Sequence, residues 1–168
     1  MKPIIENIIS DNMHSFRVNR SVLANFDNPW HFHSAYELLF ILKSNGKRYV
    51  GDSIDNFYEG DMVLMGPKLP HVWKNGEEYY QNNPKLTAQA IVVQFQDNSF
   101  GSGFFDLPEM HALKALLKLS RRGISITGET RNTIAKELYA ILNQKGIERF
   151  LSLIRILHIL STSKDLHL

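Results

Sequence analysis

The first hundred residues are a succession of strand-length runs, and this pattern leaves little room for anything but a β-rich fold. Ser15 to Phe26, Tyr36 to Lys43, Gly46 to Val50, Ser53 to Tyr58, Met62 to Met65 and Ala88 to Phe95 are rich in β-branched, aromatic and large apolar residues. Gly, Asn, Asp and Pro separate them. Asn45-Gly46 predicts a tight turn, because both residues tolerate positive φ. Gly51-Asp52 and Gly60-Asp61 predict two further reversals. Many short strands at close spacing favour a sandwich or barrel. Lys74 to Lys85, with Gly76, Pro84 and three Asn, reads as a loop over the barrel mouth or edge.

The last sixty residues change period. Leu107 to Leu119 carries Leu113, Leu116 and Leu117 at helical spacing, with Pro108 suited to the first turn. Arg121-Arg122-Gly123 stops that helix, and Ile124 to Thr127 predicts one short strand. A second helix is expected from Glu129 to Gln144, with Ile134, Leu138, Ile141 and Leu142 on one face. Gly146 breaks it, and a third runs from Ile147 to Ser163. In that third helix Ile147, Phe150, Leu151, Ile154 and Leu157 form a stripe, widened by Leu153, Ile156 and Leu160. A stripe so wide needs more than one packing partner. The barrel and second helix are one possibility. A second subunit is the favoured one, since a three-helix tail has little other mass to bury it. The expected organisation is one domain, with a barrel over 1–105 and helices over 106–168.

Composition narrows the chemistry. The chain has 168 residues and no cysteine, so disulfides and thiolate metal sites are excluded and any metal must use His and carboxylate. A net charge of +2 is too balanced to mark a phosphate-binding surface. The longest apolar run, Leu38 to Leu42, is too short to span a bilayer. Glu6 and Asp11 interrupt the N-terminal stretch where a signal peptide needs clean apolar residues, so a cytoplasmic location is expected. No Gly-rich phosphate loop, nucleophile elbow or zinc-finger spacing occurs.

The informative stretch begins at Trp30. His31 and His33 lie two apart, which on a strand puts both imidazoles on one face, and Glu37 shares their parity. His71, beyond the Gly60-Asp61 turn, is a natural fourth group. Three imidazoles and a carboxylate suit Zn, Ni, Fe, Mn or Cu without choosing among them. The bland alternatives are equally concrete. His31 and His33 follow Asn28-Pro29-Trp30 and can hydrogen-bond backbone at a strand start. Glu37 can pair with Lys43 or Arg48, and His71 can cap a turn after Pro70. Trp30 and Trp73, with Tyr36 and Tyr49, flank the stretch. Aromatic faces beside polar groups suit a sugar or other small amphipathic ligand, and Tyr49 and Trp73 join the four polar residues as ligand-contact candidates. A Trp here can also simply fill a barrel end.

His31-x-His33-x3-Glu37 followed by Gly46 resembles the first cupin motif. Gly60-Asp61, Pro67 and Pro70-His71 resemble the second. Gly66-Pro67 departs from the usual Pro-x-Gly order, and Asn75 stands four residues after His71. Within the cupins, HFHSAYELLFILKSNGKRYVGD and EGDMVLMGPKLPHVW are similar to the N-terminal arm of AraC-type transcription regulators, and LYAILNQKGIERFLSLIRILHIL is similar to their linker helices. The resemblance spans roughly Asn28 to Leu160. It implies a double-stranded β-helix barrel, a mainly β jelly roll followed by two to three helices. It also implies a small-molecule effector, a sugar or other metabolite, inside the barrel, and a homodimer formed by the C-terminal helices. A pair of helix-turn-helix units should follow, yet no basic recognition helix occurs before Leu168, so DNA contact is expected only from a part absent here.

Enzymatic cupins use the metal set that His31, His33, Glu37 and His71 match, whereas many AraC-type sensors bind their effector without metal. The expected role is therefore a non-enzymatic sensor, with a metal-dependent cupin dioxygenase or isomerase as the alternative. The apolar helical tail, which an isolated enzyme barrel does not need, weighs toward the sensor. A plain dimerisation module is a third reading, in which Leu39, Ile41 and Phe95 fill the barrel.

Overall fold

The computed structural model describes residues 2–7 and 14–168, so Asp11 and its neighbours lie outside the described residues. One five-stranded sheet contains β1 (Ile4–Ile5), β3 (His31–Phe32), β8 (His71–Asn75), β5 (Gly46–Val50) and β6 (Ser53–Phe57), in that order. The other, six-stranded, follows the order β11 (Leu166–His167), β10 (Ile124–Ile126), β7 (Met62–Met65), β4 (Tyr36–Lys43), β9 (Ala88–Phe95), β2 (Arg17–Leu23). Helices α1 (His111–Leu119), α2 (Gly128–Ile141) and α3 (Gly146–Thr162) follow the barrel strands. The fold is a jelly roll of two facing sheets whose hydrogen-bond ladders do not close, with C-terminal helices.

Strand β4 shows why the sheets and helices stack as they do. Its sequence YELLFILK is apolar on both pleats, as a strand buried on both faces requires. Leu39 and Ile41 point between the sheets, into a core with Val50, Phe57, Val63, Met65, Trp73 and Ala90. Tyr36, Leu38 and Phe40 point the other way, into a larger core that the helices complete with Leu116, Ile134, Leu138, Leu153 and Ile156. Each fully buried Leu or Ile contributes about 1.5–3 kcal/mol, so both faces of this one strand are held firmly. Phe95 belongs to the helix-facing core, stacked on Tyr36. It therefore does not fill the barrel: on β9, Ala90, Val92 and Gln94 line the cavity between the sheets, while Phe95 lies on the alternate pleat.

The turns and helix ends refine the sequence reading. The two residues between β4 and β5 are Ser44 and Asn45, and Gly46 already pairs with Asn75 as the first residue of β5. Gly46 has φ +156, and a Cβ there would fall on the carbonyl oxygen of Lys74. The expected loop from Lys74 begins later than its composition indicated. Asn75 remains in β8, because its side chain donates to Asn45 O at 3.0 Å and accepts from Phe26 N at 2.6 Å. Helix α1 begins at His111, since Pro108–Met110 form a separate 3₁₀ turn. The short strand after Gly123 forms as β10 and pairs antiparallel with β7, so the helical segment adds strands to the barrel's own sheet.

The stripe on α3 is rotated from the one the periodicity emphasised. Leu153, Ile156, Leu157 and Leu160 are buried, whereas Ile147 and Leu151 are 65% and 51% exposed. Phe150 and Ile154 lie half-buried between them. No helix among the described residues is long and apolar enough to cross a membrane.

Candidate metal centre and cavity

A cavity of about 320 Å³ lies between the sheets. Its walls combine apolar Leu39, Val92 and Trp73 with polar Arg17, Asn19, Ser21, Glu37, His31, His71 and Gln94. The chain leaves β3 in one sheet at Phe32, bends through His33 to Ala35, and enters β4 in the other. The bend is what lets His31 and His33 face Glu37 across the gap. His71 opens β8 directly opposite His31 in the β3–β8 ladder. All four side chains are buried.

Each imidazole is oriented by a backbone carbonyl. Nδ1 of His31 meets Pro29 O at 2.8 Å, Nδ1 of His33 meets Ala35 O at 3.1 Å, and Nδ1 of His71 meets Leu69 O at 2.8 Å. A carbonyl only accepts, so all three Nδ1 atoms carry hydrogen and Nε2 is the nitrogen presented inward. This is the outer-shell arrangement that holds metal-ligating histidines in place. The backbone hydrogen bonds that served as the bland alternative and the metal-ready orientation are thus the same contacts.

Glu37 stands beside the nitrogens of His33 and His71. Its Oε2 accepts from His33 Nε2 at 2.9 Å and from Gln94 Nε2 at 2.7 Å. Its Oε1 stands 3.8 Å from His71 Nε2, which is buried and makes no hydrogen bond. Burial alone would raise the Glu37 carboxyl, but the His33 hydrogen bond, neighbouring imidazole charge and Gln94 bring it down to about 2. Burial disfavours the charged form of His33, yet Glu37 outweighs it and raises that histidine above its ordinary value. Burial dominates at His71, pushing it down to about 4 and leaving a neutral imidazole. A buried neutral imidazole whose Nε2 makes no hydrogen bond, beside an ionised carboxylate, is a donor set suited to a cation. One ligand nitrogen from each of His31, His33 and His71 lies within 4.8 Å of the others. The residues present fit a divalent metal.

The structure thus brings His31, His33, Glu37 and His71 together, with Trp73 on the cavity wall. It does not bring Tyr49 there: that residue occupies the alternate pleat to Arg48 and Val50 on β5 and is not part of the lining. Glu37 pairs with neither Lys43 nor Arg48. Arg48 Nη1 instead reaches both carboxylate oxygens of Asp61, at 2.8 and 3.0 Å. Three contributors escaped the sequence reading. Gln94 lies directly opposite Glu37 in the β4–β9 ladder, and Arg17 directly opposite Gln94 in the β2–β9 ladder. Glu6, on the N-terminal side, places Oε2 2.9 Å from His31 Nε2. The alternation along Ala88–Phe95 could have indicated Gln94, a polar residue on an otherwise apolar inward pleat. A larger open cleft of about 730 Å³ lies on the helix side of the sheet, lined by Tyr36, Asp97, His111 and Arg121 among others. Among the described residues, its Asp97, Asp106 and His111 are not gathered closely enough to form a metal-holding group.

No protein-family model and no curated protein matches the chain in sequence. Solved structures do match in fold. Apo ToxT from Vibrio cholerae, an AraC-family regulator with a cupin-like N-terminal domain, is 12% identical over 90% of this chain and 55% of its own, with a TM-score of 0.52. ToxT has also been solved with an unsaturated fatty acid bound, a structure matched at 13% identity over 66% of this chain and 34% of its own, TM-score 0.36. A cupin 2 conserved barrel protein from Salinispora arenicola is 19% identical over 51% of this chain and 66% of its own, with a TM-score of 0.41. Bacillus subtilis oxalate decarboxylase, with Mn(II) centres, is 19% identical over 51% of this chain and 22% of its own, TM-score 0.36. The chain thus spans about half the length of ToxT. In fold the chain is cupin-like with C-terminal helices, an architecture it shares with ToxT.

Proposed function

We propose that this chain is the effector-binding and dimerisation domain of an AraC-type transcription regulator, and that its effector enters the cavity between the sheets. The observation that carries this reading is the cavity itself. Its outer wall, with Arg17, Asn19 and Asn28, is exposed, while its inner end is a buried, convergent polar cluster of His31, Glu37 and His71, as in a small-molecule site. The likeness to ToxT supports the regulator half of the proposal, because it takes in barrel and helices together over 90% of the chain. A divalent metal held by His31, His33, His71 and Glu37 would supply a Lewis-acidic anchor for an effector oxygen. Dimerisation is assigned to the exposed edge of α3, where Ile147 and Leu151 stand, with a second copy as the partner. DNA contact falls to a separate helix-turn-helix domain. An effector can shift such a protein only by binding one arrangement of the dimer better than another.

The test is calorimetry and thermal unfolding against a panel of sugars and small metabolites, with and without divalent metal. The expected result is a ligand that raises the melting temperature and loses affinity in Trp73→Ala and Gln94→Leu. A ligand whose binding ignores both substitutions would place the effector elsewhere and overturn the proposal.

The metal set also favours a second reading, a metal-dependent cupin enzyme, because the three histidines, with Glu37 beside them, would leave coordination positions for substrate. Tight metal binding combined with turnover that His33→Ala abolishes would establish it over the sensor.

A further inference from the structure

The N-terminal strand β1 is an odd piece of structure. It pairs with β3 over two residues, Ile4 with His31 and Ile5 with Phe32, and is anchored by Ile4 N to Trp30 O at 3.0 Å and Glu6 N to Phe32 O at 2.9 Å. Its apolar side chains do little to hold it: Ile4 is 52% and Ile5 69% exposed. What it does deliver is a carboxylate. Glu6 Oε2 lies 2.9 Å from His31 Nε2, on the inward nitrogen that no backbone group uses.

That separation has a meaning beyond an ion pair. With metal–ligand bonds of about 2.1 Å, two ligand atoms at a right angle on one ion stand about 3 Å apart. Glu6 Oε2 to His31 Nε2 and Glu37 Oε2 to His33 Nε2 are both 2.9 Å. Each carboxylate oxygen thus stands from its imidazole at a spacing that neighbouring ligands of one ion, as well as ion pairs, adopt. Glu6 also lines the cavity wall, alongside His31, Glu37 and His71.

We infer that Glu6, carried in on β1, is a fifth protein ligand of the metal site. The inference rests on the metal-binding reading of His31, His33, His71 and Glu37 above. Five protein ligands leave one position of a six-coordinate ion for an outside molecule, where the four-residue set alone leaves two. The site so completed suits holding one ligand atom, and its metal affinity is tied to the seating of the N-terminal strand.

The experiment titrates Mn(II) into the full chain, reading free ion by paramagnetic resonance and bound ion by water-proton relaxation, with Zn(II) followed by calorimetry. The proteins are wild type, Glu6→Gln, Glu6→Asp and His71→Ala, each checked for folding by thermal unfolding. Glu6→Gln is expected to weaken metal binding by about tenfold or more and to raise relaxation per bound ion, because water takes the vacated position. Glu6→Asp should recover part of both. Unchanged affinity in Glu6→Gln, or weakened affinity with unchanged relaxation, overturns the ligand role of Glu6. If His71→Ala still loses metal in that case, the four-residue site survives. If wild type binds neither ion, both readings fall.

Discussion

Gln94 donates from Nε2 to the same Glu37 oxygen that faces His33, at 2.7 Å, from the position directly opposite on the neighbouring strand. Glu37 is buried, so this bond holds an ionised carboxylate that has no bulk water to turn to. Replacing Gln94 by Leu removes one of two hydrogen bonds to Oε2. The expected costs are about 1.5–3 kcal/mol of stability and about 10–100-fold in metal affinity. Urea unfolding and Zn(II) calorimetry on the same variant check both numbers. A change in stability without a change in affinity would show that Gln94 supports the sheet and not the site.

Two neighbours on α3 separate intramolecular packing from association. Leu153 is buried against the sheet and the other helices, and Leu153→Ala is expected to cost about 2–5 kcal/mol. Leu151 faces outward, so Leu151→Glu is expected to change monomer stability by no more than about 0.5 kcal/mol. Its effect should appear in sedimentation, as a dimer of the wild type that dissociates in the variant. A wild type that sediments as a monomer at every concentration would remove the dimerisation role from this face.

Gly46 is a backbone requirement. At φ +156 a side chain is strained, and any Cβ would meet the backbone of Lys74 and Asn75. Gly46→Ala is expected to cost about 1–3 kcal/mol from strain alone, with the clash adding to it. Because Asn75 also ties down Phe26 and Asn45, amide exchange in β5 and β8 should accelerate before exchange in β4.

Tyr36 predicts an alkaline dependence. Its burial, together with the hydrogen bond it donates to Asp97 at 2.8 Å, lifts the phenol to about 12 from an ordinary 10.0, against the opposing charge of Arg121. A group whose folded pKa is raised holds its proton more tightly in the folded chain. The stabilisation is complete below pH 10.0 and is lost as pH rises through about 12. The wild type's advantage over Tyr36→Phe should therefore be full near neutrality and shrink across that window in denaturant titrations. Phenolate absorbance should show a step near pH 12 that is missing in the variant.

Much of the site was legible because cupin-like spacing and strand parity act locally. His31, His33 and Glu37 sit within seven residues, so they had to stay near one another, although the bend over 33–35 and not alternation along one strand turns the histidines toward Glu37. His71 was legible through the turn chemistry before it. Tyr49 misled because an aromatic near the motif says nothing about which pleat it occupies, and its neighbour Arg48 turned out to face Asp61. Phe95 misled for the same reason: a strand apolar on both faces gives no parity signal, and only the helices packed behind it show which face they claim.

By itself the sequence determined the local periods: strand-length runs, glycines where the backbone must turn or approach closely, a helical tail, and the parity of one histidine pair. Tertiary structure alone decided that Gln94 reaches Glu37, across 57 residues of chain, and that Glu6 reaches His31 from the N-terminal segment. Periodicity constrains a side chain only relative to its own strand. Which strands become neighbours depends on how two apolar faces of β4 are shared between the opposite sheet and the helices, and that is settled only when the whole chain packs.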